Sequence, residues 1–293
     1  MKISIIDIGT QSLKHYVFEV DGFSKKLIHY KRYSDANLGE SDPLGREAMD
    51  RTIKILQECL SANKSLKVDK LDILGTEILR KANNAHEFVS AVKALSGHEI
   101  GIISHDLEAQ YLYEGFVNIV PENFVFTAMN IGGGSTEVVI GDKANLSASK
   151  KIPFGVKFLK KSFSKDNVID WDAVDNYLDK NIDLNQKVES AFVTGVLDFI
   201  STVGPHLGFK FEENNIPNHP IKVTLDLYVS FLNVLRNTPT DKLKELYPKD
   251  PGFGENFAMG QSVYVAIARK LEAKNIIPSN NDLTDGVIYN ILK

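Results

Sequence analysis

The sequence is poor in three things that would have pointed to particular classes of protein. It has one cysteine, Cys59, so it cannot form an internal disulfide. It has no apolar run of the ~18 residues that a membrane helix needs, and no secretory signal precedes the first predicted strand. Its net charge is only −4, so it has no broad cationic surface for nucleic acid. We therefore expect a cytoplasmic protein that binds neither a membrane nor nucleic acid.

The remaining composition is that of an ordinary globular protein. Apolar residues make up 43% of the chain and charged residues 25%. A length of 293 residues is enough for two domains at roughly 100–200 residues each. A polyanionic small substrate remains compatible with this composition, provided that the basic residues are concentrated in one pocket.

The stretch that we expect to carry the function is Asn130–Glu137, with the sequence NIGGGSTE. Apolar runs on both sides predict a strand, a glycine turn and a second strand. Glycine has no Cβ, so the triplet can adopt positive φ and bring its N–H groups close to a ligand. Ser135 and Thr136 add hydroxyl groups, and such a concavity suits a phosphate. For the triplet alone, a plain hairpin turn is the alternative.

A similar stretch opens the chain, Asp7-Ile8-Gly9-Thr10-Gln11-Ser12. Two strand–turn–strand units of the form (Asp or Asn)-Ile-Gly-x-x-Ser predict a duplicated phosphate clamp. Neither stretch matches the P-loop or the dinucleotide-binding fingerprint, so those two classes are excluded.

The order of predicted elements also repeats. Strands at 2–8, 13–20, 26–33, 71–74 and 100–103 alternate with helices at 44–60, 88–95 and 106–116, and a helix that begins after Thr76 as its N-cap. Ser104 or Asp106 is expected to start the helix at 106–116. The pattern restarts with strands at 123–129, 137–141, 146–152 and 191–194 and helices at 156–163, 171–182 and from 195. We predict mainly helices after residue 221, at 222–236, 240–246, 257–274 and 282–292. The predicted domains are 1–122 and 123–293.

Four motifs occur in the order and spacing of a known family: Asp7–Lys14, Gly75–Asn83, Ile103–Ala109 and Asn130–Glu137. Together they resemble the short form of the exopolyphosphatase and guanosine pentaphosphate phosphohydrolase family. The resemblance covers residues 1 to about 205. It implies an α/β fold of the actin, sugar-kinase and heat-shock-70 group: two duplicated ribonuclease-H-like domains around a cleft, with a helical C-terminal part.

The resemblance also implies a reaction, the release of terminal phosphate from inorganic polyphosphate or guanosine pentaphosphate. Glu108 matches the family's catalytic base and Glu137 a second acid of the site. The implied metal is magnesium, or manganese in its place, with Asp7, Asn130 and Glu137 as ligands. The implied phosphate-binding residues are Gly9, Thr10, Gln11, Ser12, Lys14, Arg80, Gly132, Gly133, Gly134, Ser135 and Thr136. A homodimer is expected from the fold group.

Several positions depart from the family pattern. Asn130 replaces an aspartate, Gln11 replaces an asparagine, and Val196-Leu197 follow Gly195 where the family has glycine and threonine. Near the C-terminus, Leu283–Gly286 lacks an arginine–glutamate pair. Asn130 and the altered third loop favour one alternative, a catalytically weakened or inactive homologue that binds a phosphorylated ligand or a protein partner. A small-molecule kinase of the same fold group is a more distant alternative, which is disfavoured because the third loop lacks the glycine pair that would approach an adenosine.

Overall fold

The computed structural model of the chain describes residues 1–292 except 11, 23, 37, 40 and 167, and it describes only the backbone of residues 251–255. The chain divides into two compact units, which we call unit 1 (Met1–Glu108 with Val287–Lys293) and unit 2 (Ala109–Gly286). The predicted domains, 1–122 and 123–293, were drawn where the pattern of strands and helices restarts, whereas the two units are defined by contacts. The predicted boundary therefore stays a prediction.

Unit 1 is built on one five-stranded sheet. Its strands are β1 (Lys2–Ile8), β2 (Leu13–Asp21), β3 (Ser24–Tyr33), β4 (Lys70–Gly75) and β5 (Ile100–Ile102), and its helices are α1 (Arg46–Leu66), α2 (Glu77–Lys81) and α3 (Ala85–Ser96). The strand order is β3-β2-β1-β4-β5. The first three strands are antiparallel neighbours, and β4 and β5 run parallel to β1.

Unit 2 is built on a seven-stranded sheet. Helix α4 (His105–Val117) begins in unit 1 and continues in unit 2. The further strands are β6 (Phe126–Ile131), β7 (Thr136–Gly141), β8 (Leu146–Ile152), β9 (Ser164–Lys165), β10 (Val168–Ile169), β11 (Ser190–Val193), β12 (Glu212–Ile216), β13 (His219–Thr224) and β14 (Asn275–Pro278). The further helices are α5 (Val156–Phe163), α6 (Trp171–Asn181), α7 (Leu197–His206), α8 (Leu225–Asn237), α9 (Thr240–Leu246), α10 (Pro251–Lys270) and α11 (Leu283–Leu292).

The two sheets share one topology. The second sheet has the order β12-β13-β14-β11-β6-β7-β8, with β9 and β10 forming a separate two-stranded ribbon. From β8 to β14, its strands repeat the first sheet: three antiparallel strands, then two strands parallel to the third. The predicted duplication is therefore confirmed, and the hairpin of β12 and β13 extends the second copy.

The helical tail is confirmed in α8 to α11, but three strands within it were missed. The predicted helix at 222–236 starts inside β13, and the predicted helix at 257–274 ends four residues late, just before β14. These strands are short and depend on their neighbours in the sheet: β13 and β14 are paired on both sides, and β12 is paired with β13. Ile276 of β14 lies opposite Ala191 of β11 and Val223 of β13. Residue pattern does not reveal such long-range partners.

Two predicted helix starts have different outcomes. The Leu107 N–H donates to Ser104 Oγ at 3.1 Å, so Ser104 is the cap of α4. Thr76 precedes α2, but its hydroxyl donates to the Ile8 carbonyl at 3.4 Å and accepts no bond from the helix. Thr76 therefore stands at the predicted N-cap position, but its side chain makes no cap hydrogen bond, because the parallel pairing of β1 and β4 brings the Ile8 carbonyl to the residue before α2.

The first sheet buries apolar side chains against α1 and α3. Ile6 and Ile8 of β1 belong to one core cluster with Cys59 of α1 and Phe88 of α3. Burial raises the pKa of the Cys59 thiol to about 11, so this buried thiol is a weak nucleophile at neutral pH.

A polar group lies inside this apolar layer. His15 of β2 is fully buried, with its Nε2 atom 2.8 Å from Asn63 Oδ1 and 3.2 Å from Ser4 Oγ. Burial lowers the pKa of His15 to about 4, against the opposing effect of the Asn63 hydrogen bond. The folded protein therefore holds a neutral imidazole under α1.

We expect this histidine to make unit 1 acid-sensitive. Above pH 6.5 His15 is neutral whether the chain is folded or not. Between pH 6.5 and about 4 the unfolded chain binds a proton that the folded chain does not, so about 3 kcal/mol of stability is lost across that window. Hydrogen exchange of the β1 and β2 amides measures the effect, because the sole tryptophan, Trp171, reports on unit 2. In His15→Gln the stability of unit 1 should fall less steeply as the pH is lowered from 6.5 to about 4. In His86→Gln, at an exposed position of α3, it should fall as steeply as in wild type. Equal slopes in all three proteins would contradict the assignment.

Helices α4 and α11 are in backbone contact within unit 2. A Cβ built on Gly286 would lie 1.9 Å from the Tyr111 carbonyl oxygen, and one on Gly115 would lie 2.6 Å from the Asp282 carbonyl oxygen. The first turn of α11 is closed by reciprocal caps, since Thr284 N–H donates to Asp282 Oδ1 and Asp282 N–H donates to Asp285 Oδ2, each at 2.8 Å.

We expect Gly286→Ala to destabilise unit 2 by at least about 2 kcal/mol, because the methyl group meets backbone that cannot rotate away. Gly260→Ala in α10 is the matched control: its nearest neighbour would be Val156 Cγ2 at 3.7 Å, so the change should be neutral or stabilising by up to about 1 kcal/mol. Urea unfolding followed by Trp171 fluorescence measures both. Equal urea midpoints in Gly286→Ala and Gly260→Ala would contradict this account, because they would show that α4 and α11 can move apart without loss of stability.

Among the residues that the structure describes, no helix has both the length and the apolar character required to cross a membrane.

Candidate active site

The first acidic residue of the predicted site is Asp7, next to the last residue of β1. It is buried, and its register partner on β2 is Lys14. The Lys14 Nζ atom lies 3.6 Å from Asp7 Oδ2, so the two predicted site residues form an ion pair. The strand pairing of β1 and β2 therefore brings both side chains to one face of the sheet.

The loop after β1 is closed by its own backbone. The Gly9 N–H donates to the Ser12 carbonyl at 3.1 Å, and Thr10 and Ser12 are buried beside it. The Thr76 N–H and hydroxyl both donate to the Ile8 carbonyl, which ties this loop to the start of α2. Gln11 lies outside the described residues.

Arg80 and Glu108 form an ion pair at the start of α4. The Arg80 Nη2 atom lies 2.9 Å from Glu108 Oε2 and 3.1 Å from Glu77 Oε2, and its Nη1 donates to the Ile103 carbonyl at 2.5 Å. The guanidinium is thus held by two carboxylates and by the strand end that precedes α4. Its predicted phosphate contact stays a prediction.

His105 is a member of this cluster that sequence reasoning missed. Arg80 Nη2 lies 3.0 Å from His105 Nδ1, and a guanidinium only donates, so Nδ1 carries the lone pair. The ring proton then sits on Nε2, which faces Glu77 Oε2 at 3.3 Å. The available signal was spacing, because His105 precedes Glu108 by one helical turn.

Glu108 is an acid in an unusual environment. It is only 5% exposed, and burial raises the pKa of its carboxyl group. Arg80 opposes that rise through charge and a hydrogen bond, while Asp7 and Glu77 add to the rise in pKa by repulsion. A carboxyl group balanced in this way can accept a proton from water more readily than an exposed glutamate.

The second acidic residue, Glu137, lies in unit 2 beside Asn130. The two residues are opposite each other on β7 and β6, so their side chains share one face. Glu137 is 3% exposed and accepts a hydrogen bond from Ser135 Oγ at 2.6 Å, and Asn130 Oδ1 accepts one from Thr194 Oγ1 at 3.2 Å. Carboxylate and amide oxygens are ligands that magnesium prefers, and of these two residues only Glu137 supplies a carboxylate. The Thr136 hydroxyl, in contrast, donates to the Phe154 carbonyl inside the fold.

The glycine loop between these strands is docked on α5. The Gly132 N–H donates to the Ser135 carbonyl at 2.9 Å, as Gly9 does to Ser12 in unit 1. The Gly132 and Gly133 carbonyls accept from the first N–H groups of α5, on Val156 and Lys157, both at 3.1 Å. In a planar trans peptide the carbonyl and the next N–H point in opposite directions. The N–H groups of Gly133 and Gly134 therefore point away from α5, side by side, as in an anion-binding nest.

The reason for glycine in this loop differs from the expected one. Within the described residues, the glycines with positive φ are Gly22, Gly39, Gly97, Gly195 and Gly208. None of the loop glycines is among them, so the predicted use of positive φ is wrong. Glycine is instead required where the loop closely approaches Gly155, because a Cβ on Gly155 would lie 2.3 Å from the Gly132 carbonyl oxygen.

The third loop, after β11, uses its first N–H groups for hydrogen bonds within the fold. Gly195 has a φ of +67°, and the next two N–H groups, of Val196 and Leu197, donate to the Ser279 carbonyl at 3.0 and 3.4 Å. The N–H groups of Val196 and Leu197 are therefore satisfied by the protein itself. This arrangement disfavours the kinase alternative, which needs a nucleotide phosphate or adenosine at this loop.

A cavity of about 290 Å³ in unit 2 is a separate feature, lined by side chains of α6, α8 and α10. Its Arg236 forms a bidentate pair with Asp175, donates to Ser262 Oγ at 2.8 Å and lies 4.6 Å from the centroid of the Trp171 ring. With these partners, Arg236 acts as a packing element between the three helices.

Comparison with known proteins agrees with the motifs and the topology. The model of the Ppx/GppA phosphatase family matches residues 26–293, which is most of the chain. The chain belongs to the Ppx/GppA phosphatase family. The match runs through the C-terminal helices, further than the motif resemblance to about residue 205.

Individual relatives are more distant. The chain is 28% identical over 167 residues to a guanosine-5'-triphosphate,3'-diphosphate pyrophosphatase of Aliivibrio fischeri, covering 56% of this chain and 34% of the relative. It is 29% identical over 171 residues to a putative exopolyphosphatase of Haemophilus influenzae, covering 57% and 53%. The matched region is thus about a third to a half of the length of these curated relatives.

Solved structures agree in fold over the whole chain. The Aquifex aeolicus PPX-GPPA enzyme superposes with a TM-score of 0.77 at 21% identity, covering 99% of both chains. An exopolyphosphatase from Cytophaga hutchinsonii superposes with a TM-score of 0.83 at 18% identity, covering 100% of this chain and 98% of that one. At these identities the likeness establishes the two-domain, actin-like α/β fold alone.

The charges around Glu108 predict that two substitutions will shift the pKa of its carboxyl group in opposite directions. Arg80→Gln should raise the pKa of Glu108 further, because it removes the neighbouring cation, whereas Glu77→Gln should lower it, because it removes a neighbouring anion. NMR titration of the side-chain carboxyl carbon of labelled glutamate, assigned with Glu108→Gln, measures both shifts. Glu87→Gln, at an exposed position of α3, is the control and should leave the Glu108 curve in place. Shifts of the same sign in the two variants would refute this electrostatic account.

Proposed function

We propose that the chain hydrolyses a terminal phosphoanhydride bond and releases orthophosphate from inorganic polyphosphate or guanosine pentaphosphate. The observation that carries the proposal is Glu108, a buried carboxyl group with a raised pKa in direct contact with Arg80. The names of the relatives, a guanosine-5'-triphosphate,3'-diphosphate pyrophosphatase and a putative exopolyphosphatase, support the choice of substrates.

In this reaction Glu108 takes a proton from a water molecule as the water oxygen attacks the terminal phosphorus. A new P–O bond forms, the bridging P–O bond breaks, and the shortened phosphate leaves with the electron pair of that bond. The raised pKa of Glu108 makes its carboxylate a stronger base for this proton transfer than an exposed glutamate. Arg80 keeps the carboxylate in place and stabilises its charged form before the proton arrives.

Phosphoryl oxygens are held by the backbone in this proposal. The N–H groups of Gly133 and Gly134 offer two parallel donors, and the loop closed by Gly9 and Ser12 repeats the same hydrogen bond in unit 1. Lys14, beside Asp7, adds a positive charge at that second loop. Positioning and charge stabilisation of this kind account for most of the catalysis in phosphoryl transfer.

The side chains of both units also fit magnesium or manganese in donor type. Asp7 in unit 1 and Glu137 in unit 2 are buried carboxylates, and Asn130 adds an amide oxygen beside Glu137. When bound, the ion would neutralise negative charge on the phosphoryl oxygens.

A second candidate is a homologue that binds a phosphorylated ligand, or a protein partner, without turnover. Asn130 favours it, because a neutral amide replaces the family's aspartate and its oxygen is already bonded to Thr194. The arrangement around Glu108 favours the enzyme.

Phosphate release from long-chain polyphosphate and from guanosine pentaphosphate, with Mg²⁺ and then Mn²⁺, tests the proposal. Wild type should release phosphate, and Glu108→Gln should lower kcat by ~10²–10⁴-fold, as expected for loss of a general base. Glu87→Gln should match wild type. If wild type is silent while Asn130→Asp releases phosphate, the second candidate is correct. Silence in both proteins would exclude hydrolysis of these substrates.

A further inference from the structure

The register of unit 2 aligns three polar residues across neighbouring strands. Asn130 on β6 lies opposite Glu137 on β7, and Glu137 lies opposite Lys151 on β8, the edge strand of the sheet. Directly opposed side chains of antiparallel strands share one face, with Cβ atoms about 5 Å apart. Lys151, half-buried, is therefore a near neighbour of the buried carboxylate of Glu137.

The duplicated topology shows what is unusual in this row. Strands β1, β2 and β3 hold the places in the first sheet that β6, β7 and β8 hold in the second, and their equivalent row is Asp7, Lys14 and Arg32. Each row pairs one acid with a lysine on the next strand. In unit 1 the acid is on the first strand, whereas in unit 2 it is one strand further out, because Asn130 occupies the first position.

We propose that Lys151 is a positioning residue that acts through Glu137 as a fixed cation. A lysine beside the Glu137 carboxylate offsets its negative charge, and Asn130 adds none, so we expect this row of residues in unit 2 to attract a divalent ion weakly. The ammonium group supplies part of the positive charge that a metal would bring to phosphoryl oxygens at the neighbouring glycine loop. The substrate part of this inference rests on the proposed function, and the effect on metal binding does not.

Metal affinity, measured without substrate, is the decisive readout. Mn²⁺ binding to the full chain, followed by electron paramagnetic resonance, should be tightened about tenfold by Lys151→Met, because a cation near the dication is removed. Lys151→Arg should keep the wild-type affinity. Asn130→Asp should tighten binding as well, since it adds a carboxylate beside Glu137.

Lys150→Met is the matched control. It removes the same charge from the adjacent residue, but successive strand residues face opposite sides, and Lys150 lies 3.4 Å from the Asp183 carboxylate. Its Mn²⁺ affinity should stay within about twofold of wild type. Equal tightening in Lys150→Met and Lys151→Met, or no tightening in Lys151→Met, would overturn the proposal. Far-UV circular dichroism of Lys151→Met and Lys151→Arg shows whether each variant is folded.

Phosphate release by the same proteins separates this inference from the proposed function. A Lys151-specific change in Mn²⁺ affinity in a chain that releases no phosphate would support the role of Lys151 at Glu137 and refute the hydrolase. Phosphate release that depends on Glu108, in a chain whose Mn²⁺ affinity does not change in Lys151→Met, would support the hydrolase and refute the role of Lys151.

Discussion

The acidic cluster of unit 1 depends on the contacts of one guanidinium group. Asp7, Glu77 and Glu108 repel one another, and burial adds to the cost of keeping Glu108 charged. Arg80 offsets this with one nitrogen atom, Nη2, which contacts Glu77, His105 and Glu108. Its other nitrogen, Nη1, binds the Ile103 carbonyl and fixes the group to the strand end before α4. The protonation state of Glu108, and with it any general-base chemistry, follows from this arrangement.

The glycine loop that we propose as a phosphate clamp depends on a second constraint, which acts on the backbone. The carbonyls of Gly132 and Gly133 face α5, and peptide planarity then turns the following N–H groups the other way. The docking is possible because Gly155 has no side chain where it meets the loop. The direction of the loop N–H groups is thus a consequence of how the loop packs, and the glycine that permits it, Gly155, lies 21 residues beyond Gly134.

Duplication has preserved the topology of the two units while their chemistry has diverged. Both loops are closed by the same hydrogen bond from glycine to serine, and both sheets place an acid beside a lysine. The acid is on β1 in unit 1 and on β7 in unit 2. In unit 2 the neutral Asn130 occupies the position that Asp7 has in unit 1, and the acid–lysine pair is formed by the next two strands, through Glu137 and Lys151.

The sequence by itself determined the elements that local pattern dictates and the residues that family motifs mark. Strand β8 and helices α5 and α9 have the predicted bounds, because alternation and helical periodicity are properties of neighbouring residues. The motifs identified Glu108, Glu137 and the glycine loops. Tertiary structure alone decided the strands β13 and β14, the Arg80–His105–Glu77 contacts and the direction of the loop N–H groups. Each of these depends on partners that are distant along the chain, and a one-dimensional pattern contains no information about which distant residues will meet.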